Sequence, residues 1–315
     1  MKIHKIVCSA LMAAACCLGN AASAQDTIRL GILPFSESLG AVMADRLGYF
    51  KDEGIKVEMT KYSSGAQGVP LLHAERLDII FSNTIATLQA MEQGLDATIV
   101  APGAIVRSQA PDTTAALMAL KGTIKTPKDL EGKRIAVNVI NSSLWMYIMA
   151  YFDKHGVDRS KVRFVEIPFS QMADPLLAKQ VDAVAASEPF ASVLIDSGKV
   201  DLIAYPYVEA QPGGDITQYL ALTDWVKKNP ELAQRFARAV VKGSRYVNDS
   251  ANEAAVREAN VEFTGLSPAL KDRVLLPLMG DAVNQEAIEK TQSLMMQYGL
   301  MKTPVDLSGK VLRSQ

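Results

Sequence analysis

Four short segments set hydroxyl, amide or carboxylate side chains where an apolar run gives way to the expected start of a helix. They are Leu33-Pro34-Phe35-Ser36-Glu37-Ser38, Ser82-Asn83-Thr84, Asn141-Ser142-Ser143 and Ser187-Glu188-Pro189-Phe190. Three of them place Ser, Thr or Asn beside free backbone N–H groups, an arrangement that accepts a carboxylate, a sulfonate or another anion. The same residues are ordinary helix caps, and taken singly the capping role explains each of them. Their recurrence after strands in both halves of the chain points to one shared site, with Ser36, Asn83, Thr84, Ser142 and Ser143 as polar candidates.

Phe35, Trp145, Phe169 and Phe190 lie beside these segments and could stack on a planar ligand. Packing into the core is the other use of such rings, and Trp145 shares helical spacing with Ile148 and Met149. Arg107 is the basic candidate for pairing an anion, although a solvated loop position suits it equally. If the ligand is an organic anion, Arg107→Ala is expected to abolish its binding. Glu37 and Glu188 bring negative charge to the same mouth, which suits an ammonium or a ring N–H donor. Should both face the site, a purely anionic ligand becomes disfavoured; without that information an organic anion is the expectation.

Signatures of catalysis are thin. Past the first 24 residues the histidines are His73 and His155, each on an expected helix surface and far apart in the chain. There is no Gly-x-Ser-x-Gly elbow, no Gly-x-x-x-x-Gly-Lys loop and no clustered set of metal ligands. A non-enzymatic binding protein without cofactor or metal is expected.

The elements that must position these residues alternate. Thr27 to Ile32 reads as a strand, followed by a helix from Ser38 with Leu39, Val42, Met43, Leu47 and Phe50 on one face. Strands at 55–60, 77–81 and 97–101 alternate with helices at 67–76 and from Thr84 to about Gly94. A second alternating unit runs through strands at 115–120, 134–139, 162–167 and 181–185, with helices at 142–155, 170–179 and 189–197. Alternation at this interval predicts two mostly parallel sheets covered on both faces. The polar stretch 107–114 and the Pro/Gly-rich stretch 205–216 read as crossovers between the units. From Asp224 onward the chain reads as helices, with no strand expected after about Leu222. Lys125-Thr-Pro-Lys-Asp-Leu-Glu-Gly-Lys133 and Lys302-Thr-Pro-Val-Asp-Leu-Ser-Gly-Lys310 are similar, and each predicts a single capped helical turn.

The chain has 315 residues, room for two domains, and its 33 Lys and Arg against 34 Asp and Glu give no positive field for nucleic acid. Residues 1–24 read as a cleaved export signal, with Lys2 and Lys5, an apolar run from Ile6 to Leu18, and Ala22-Ser23-Ala24 before Gln25. All three cysteines, Cys8, Cys16 and Cys17, fall inside it. Acylation at Cys16 is the competing reading, but Ala13-Ala14-Ala15 lacks the branched residue expected ahead of a lipid-modified cysteine.

Leu47-Gly48-Tyr49-Phe50-Lys51-Asp52-Glu53-Gly54-Ile55, Leu77-Asp78-Ile79, Leu130-Glu131-Gly132-Lys133-Arg134-Ile135-Ala136-Val137, Gln180-Val181-Asp182-Ala183 and Glu188-Pro189-Phe190 follow one another in an order that resembles a known family. It is that of the ABC-transporter periplasmic substrate-binding proteins for sulfonates, taurine, nitrate and thiamine precursors. The resemblance implies an α/β, type II periplasmic binding protein fold of two doubly wound lobes joined by a two-segment hinge. Lobe one would comprise residues 26–110 and 206–315, and lobe two residues 111–205. It further implies a monomer that closes on a small molecule in the periplasm and delivers it to a permease and ATPase. The ligand contacts carried over by position are the loops named above, with Phe35, Ser36, Glu37, Asn83, Thr84, Arg107, Ser142, Ser143, Phe169, Glu188 and Phe190 as the candidate set. The family shares ancestry with a thiamine-pyrimidine synthase, whose cysteine-rich motif has no counterpart here.

Overall fold

The computed structural model describes residues 25–62 and 65–312, so the export-signal reading of residues 1–24 lies outside the described residues. The strands, in chain order, are β1 Asp26–Ile32, β2 Ile55–Lys61, β3 Ile79–Asn83, β4 Ala97–Pro102, β5 Ala104–Ile105, β6 Ala116–Leu120, β7 Arg134–Val137, β8 Arg163–Glu166, β9 Ala183–Ala186, β10 Val200–Ala204, β11 Thr217–Leu222 and β12 Leu278–Met279. Ten of them build two five-stranded sheets, ordered β2-β1-β3-β11-β4 and β10-β6-β9-β7-β8. The central strand β9 is buried along its whole length, whereas the edge strand β2 alternates buried and exposed residues. That contrast is what helices on both faces impose on a sheet.

Parallel pairing joins β1 to β2 and β3, and β7 to β8 and β9. Each sheet also holds one antiparallel strand, β11 between β3 and β4, and β6 between β9 and β10. Both are the strands by which the chain enters a unit after crossing from the other. Each crossover departs from the carboxyl end of a parallel strand, so the next strand starts at that same edge and must run the opposite way.

The two crossovers lie side by side. Gly103 N–H donates to Thr217 O (2.9 Å), Ile216 N–H to Ala104 O (2.9 Å) and Val106 N–H to Gly214 O (2.8 Å). A two-stranded connection thus links the sheets. Behind it Gln211 Oε1 accepts from the hydroxyls of Tyr147 (2.9 Å) and Thr291 (3.1 Å), and its Nε2 donates to Ala287 O (2.7 Å).

Three expectations need correcting. A strand does follow Leu222: β12 pairs antiparallel with β5 beside the crossovers. Two residues are too few to leave a period-2 pattern in the sequence. The helix expected over 170–179 shrinks to Ala173–Leu177, bounded by Lys179 in the left-handed region at φ 58°. Of the two similar nine-residue stretches only the first forms a helical turn, Pro127–Leu130, with Asp129 Oδ2 accepting from Lys125 and Thr126 N–H (both 2.8 Å). In the second, Lys302 and Thr303 N–H donate instead to Glu92 Oε1 (2.7 and 2.8 Å), and Val305 N–H to Gln292 Oε1 (2.9 Å). Tertiary partners there take the donors that a cap would have used.

The helix Pro230–Asn248 covers the first sheet through Ala233, Phe236, Ala239, Val240, Gly243 and Val247, a helical-period stripe. Phe236 stacks on Phe50 with ring centroids 5.5 Å apart and meets Tyr219 of β11 at 5.6 Å. Its Gly243 faces Gly40 of the helix Leu39–Arg46, where the two backbones touch.

Candidate functional site

Beyond the carboxyl ends of both sheets lies a cavity of about 520 Å³ whose walls come from both units. The first unit contributes Pro34 to Glu37, the loop after β1. The second contributes Asn138, which follows β7, Phe169, and Ser187 to Phe190, which follow β9. A third wall, formed by Asn260, Thr264 to Leu266, Val274, Leu275 and Pro277, comes from the C-terminal helical region. Doubly wound sheets bind small molecules at this end of their strands, because loops and helix starts converge there. A second cavity, about 370 Å³, opens at the amino ends of the first sheet's strands, and its charged groups include the Arg29–Asp78 ion pair (2.5 Å). Its wall comes from one unit only.

Six of the sequence candidates share the larger cavity: Phe35, Ser36, Glu37, Phe169, Glu188 and Phe190. The rings of Phe169 and Phe190 lie 6.3 Å apart at 31°, and Phe35 is 50% exposed. Ser36 Oγ donates to Asn260 Oδ1 at 2.8 Å, which ties the β1 loop to the third wall.

The other five lie elsewhere. Asn83 Oδ1 accepts Ala86 N–H (2.8 Å) and Ser142 Oγ accepts Trp145 N–H (3.4 Å), so both cap helices. Asn83, Thr84 and Ser143 line a crevice of about 30 Å³ with Tyr147, Tyr207, Asp215 and Thr291, too small for an organic solute. Arg107 does not line the large cavity: its Nη2 donates to Leu276 O (3.0 Å) and its N–H to Asp112 Oδ1 (3.0 Å). A guanidinium engaged with a backbone carbonyl of the C-terminal wall supports that wall from behind.

Sequence reasoning missed Asn138 and the whole third wall. The apolar run places Asn138 in a strand continuing to 139, but β7 stops at Val137. The third wall carries no periodic signal that would mark it.

The polar side chains of the cavity are the carboxyls of Glu37 and Glu188, the amides of Asn138 and Asn260, and the hydroxyls of Ser36, Thr113, Ser187 and Thr264. Glu188 Oε1 accepts Ser192 Oγ at 2.8 Å, while Glu188 Oε2 and Asn138 Oδ1 are buried without a hydrogen-bond partner. Burial pushes the Glu188 carboxyl up to about 7, offset only in part by the Ser192 hydroxyl, and Asp196 pushes the same way. Burial likewise raises Glu37, with Asp112 adding to the effect. Among the described residues lining the cavity there is no Lys, Arg or His. His73 is exposed and lines the other cavity, and His155 Nε2 lies 3.4 Å from Glu209 Oε2 on a helix end.

Asp215 sits at the crossovers, 4% exposed, accepting Asn284 N–H at 3.0 Å, and burial pushes it up to about 7. A carboxyl raised above its unfolded value of about 4 favours the protonated folded state, so its stabilisation is full below pH 4 and is lost as pH rises to about 7. Carboxylates held low, such as Asp182 beside Arg134, lose their contribution only on the acid side of that window. The melting temperature is therefore expected to fall from pH 4.5 to 7, with each such group contributing a slope on the order of 1 kcal/mol per pH unit at most. Thermal melts across that range check this, and Asp215→Asn should reduce the dependence, leaving the share of Glu188.

The family model described as NMT1/THI5 like matches residues 36–254. The taurine-binding periplasmic protein of Escherichia coli (strain K12) is 24% identical over 196 residues, which cover 61% of this chain and 58% of that protein. The chain thus matches little more than half the length of that relative. In three dimensions the chain is similar to the periplasmic aliphatic sulphonate binding protein SsuA from Escherichia coli, with a TM-score of 0.75, 18% identity, and 92% and 93% of the two chains covered. The alkanesulfonate-binding protein SsuA from Xanthomonas axonopodis pv. citri bound to MOPS gives 0.68 at 18% identity, covering 91% of this chain and 98% of that one. The nitrate-binding protein NrtA from Synechocystis PCC 6803 gives 0.66 at 12%, covering 88% and 82%. At these identities the likeness is one of fold, that of the periplasmic binding proteins.

Proposed function

The chain belongs to the NMT1/THI5 like family, and from that premise we propose that it is the periplasmic substrate-binding component of an ABC importer, holding one small solute in the cavity between its sheets. The observation that carries this reading is the 520 Å³ cavity walled by both units across a two-stranded connection. On this reading residues 26–110 and 206–315 form one lobe and residues 111–205 the other, with the crossovers as hinge.

A solute that touches both walls binds the closed arrangement better than the open one, and only that difference can drive closure. Moving such an equilibrium from 1:99 to 99:1 takes about a 10⁴-fold preference, so contacts from one wall alone would not suffice. The closed monomer is then what a permease and its ATPase partner would recognise. A receptor is favoured over an enzyme because, among the described residues, His73 and His155 lie outside the cavity and no nucleophile there is paired with a base.

A thermal-shift screen of the chain from Gln25 against small amines, sulfonates, carboxylates and heterocycles tests the reading. A solute at 100 times its Kd adds about 2.7 kcal/mol to stability and raises the melting temperature by several degrees. Chemical conversion of a hit would instead argue for an enzyme.

Arg107→Ala is expected to leave the affinity for the best solute within about threefold while lowering stability by about 1 kcal/mol, the net worth of its bond to Leu276 O. Calorimetric titration beside a denaturation curve separates the two, and lost binding with unchanged stability would return Arg107 to the site.

A further inference from the structure

The relatives named above are described as binding taurine, sulphonates or nitrate, yet the ionisable groups lining this cavity are carboxyls. Glu188 Oε2 and Asn138 Oδ1 are buried acceptors without a donor, and Glu37 adds a second carboxylate to the same cavity. Nothing cationic among the described lining residues balances them. The charged neighbour that acts on Glu188 is Asp196, at the end of the helix that follows it and already paired with Arg273 (2.9 Å), and Tyr205 is the nearby phenol. Arg107, the cation best placed along the sequence, is engaged with Leu276 O. An anion entering here would have to keep both carboxyls protonated, and it brings no donor for the buried Asn138 Oδ1. A cationic nitrogen would supply both the missing donors and the missing charge.

Resting on the solute-receptor reading, we propose that the solute carries a positively charged nitrogen donor, an ammonium or amidinium, held by Glu188 and Asn138, with a flat apolar body against Phe169 and Phe190. The rings supply the remaining wall, both lining the cavity with their centroids 6.3 Å apart. Ser192, donating to Glu188 Oε1, fixes the carboxylate so that Oε2 is the atom left for the ligand.

The test compares probes that share one ring and differ in the sign of their charge. Benzamidine and benzylamine are titrated calorimetrically into the chain from Gln25 beside benzoate and benzenesulfonate. The cations are expected to bind at least tenfold more tightly, and Glu188→Gln should remove at least tenfold of that preference while leaving the fold, followed by circular dichroism, intact. Asn138→Leu provides a second variant expected to weaken the cations alone. Tighter binding of either anion overturns the cationic class and leaves the receptor reading standing. A cation preference that survives both substitutions overturns the assignment to Glu188 and Asn138. If neither charge series binds, and no solute of the wider screen does, both the inference and the receptor reading fall.

Discussion

Gly243→Ala is expected to lower the unfolding free energy by about 3 kcal/mol or more, the upper part of the range for overpacking. A Cβ at position 243 would lie 2.1 Å from Gly40 O and 2.8 Å from Ala44 N, which are backbone atoms of the facing helix and cannot rotate away. The helices Leu39–Arg46 and Pro230–Asn248 would have to separate, loosening the Phe236 contacts with Phe50 and Tyr219. Chemical denaturation of the variant measures the effect, and a loss below 1 kcal/mol would mean that the helices do not meet backbone to backbone. The helix at 39 follows directly on the Ser36 and Glu37 loop, so the same change should also weaken solute binding.

The second large effect is on binding. Replacing both Phe169 and Phe190 by alanine should raise the Kd of the best solute by about 100-fold, which is ~2.8 kcal/mol. Two aromatic walls of one cavity account for this through buried area and stacking. Both rings also pack against the core of the second sheet, so some stability will be lost as well. Titration at a temperature where the variant remains folded separates the two losses. A Kd within threefold of the parent would place the solute elsewhere.

Much of this architecture could be read along the chain. The alternation of apolar runs with helical stripes gave both units, and the Pro- and Gly-rich stretch at 205–216 marked the return crossover. Ser142, a candidate ligand contact by sequence, caps its helix by accepting Trp145 N–H, and Asn83 likewise spends its acceptor on its own helix. The pairing β5–β12 was beyond local inference because each partner is two residues long and they lie more than 170 positions apart. Asn138, Leu275 and Pro277 reach the cavity through tertiary placement and share no periodicity with the residues they face. Arg107 shows the same lesson from the other side. Its charge was legible, but the carbonyl of Leu276 that takes it lies in a distant segment.

Burial raises one carboxyl at the cavity and one at the crossovers. Glu188 and Asp215 are both pushed up to about 7 by burial, one where the solute would sit and the other where the two connecting strands meet. A ligand cation would stabilise the ionised form of Glu188, so binding below pH 7 should release protons. Titrations in buffers of different ionisation enthalpy read that release directly.

The central claim is that a small solute binds between the two sheets. The most direct measurement is a thermal-shift screen run in parallel on the parent chain and on the Phe169→Ala/Phe190→Ala variant. At least one solute is expected to raise the parent's melting temperature by several degrees, to stay chemically intact, and to have little effect on the variant at the same concentration. Equal shifts in both proteins would place the binding outside the cavity, and no solute would then sit between the sheets.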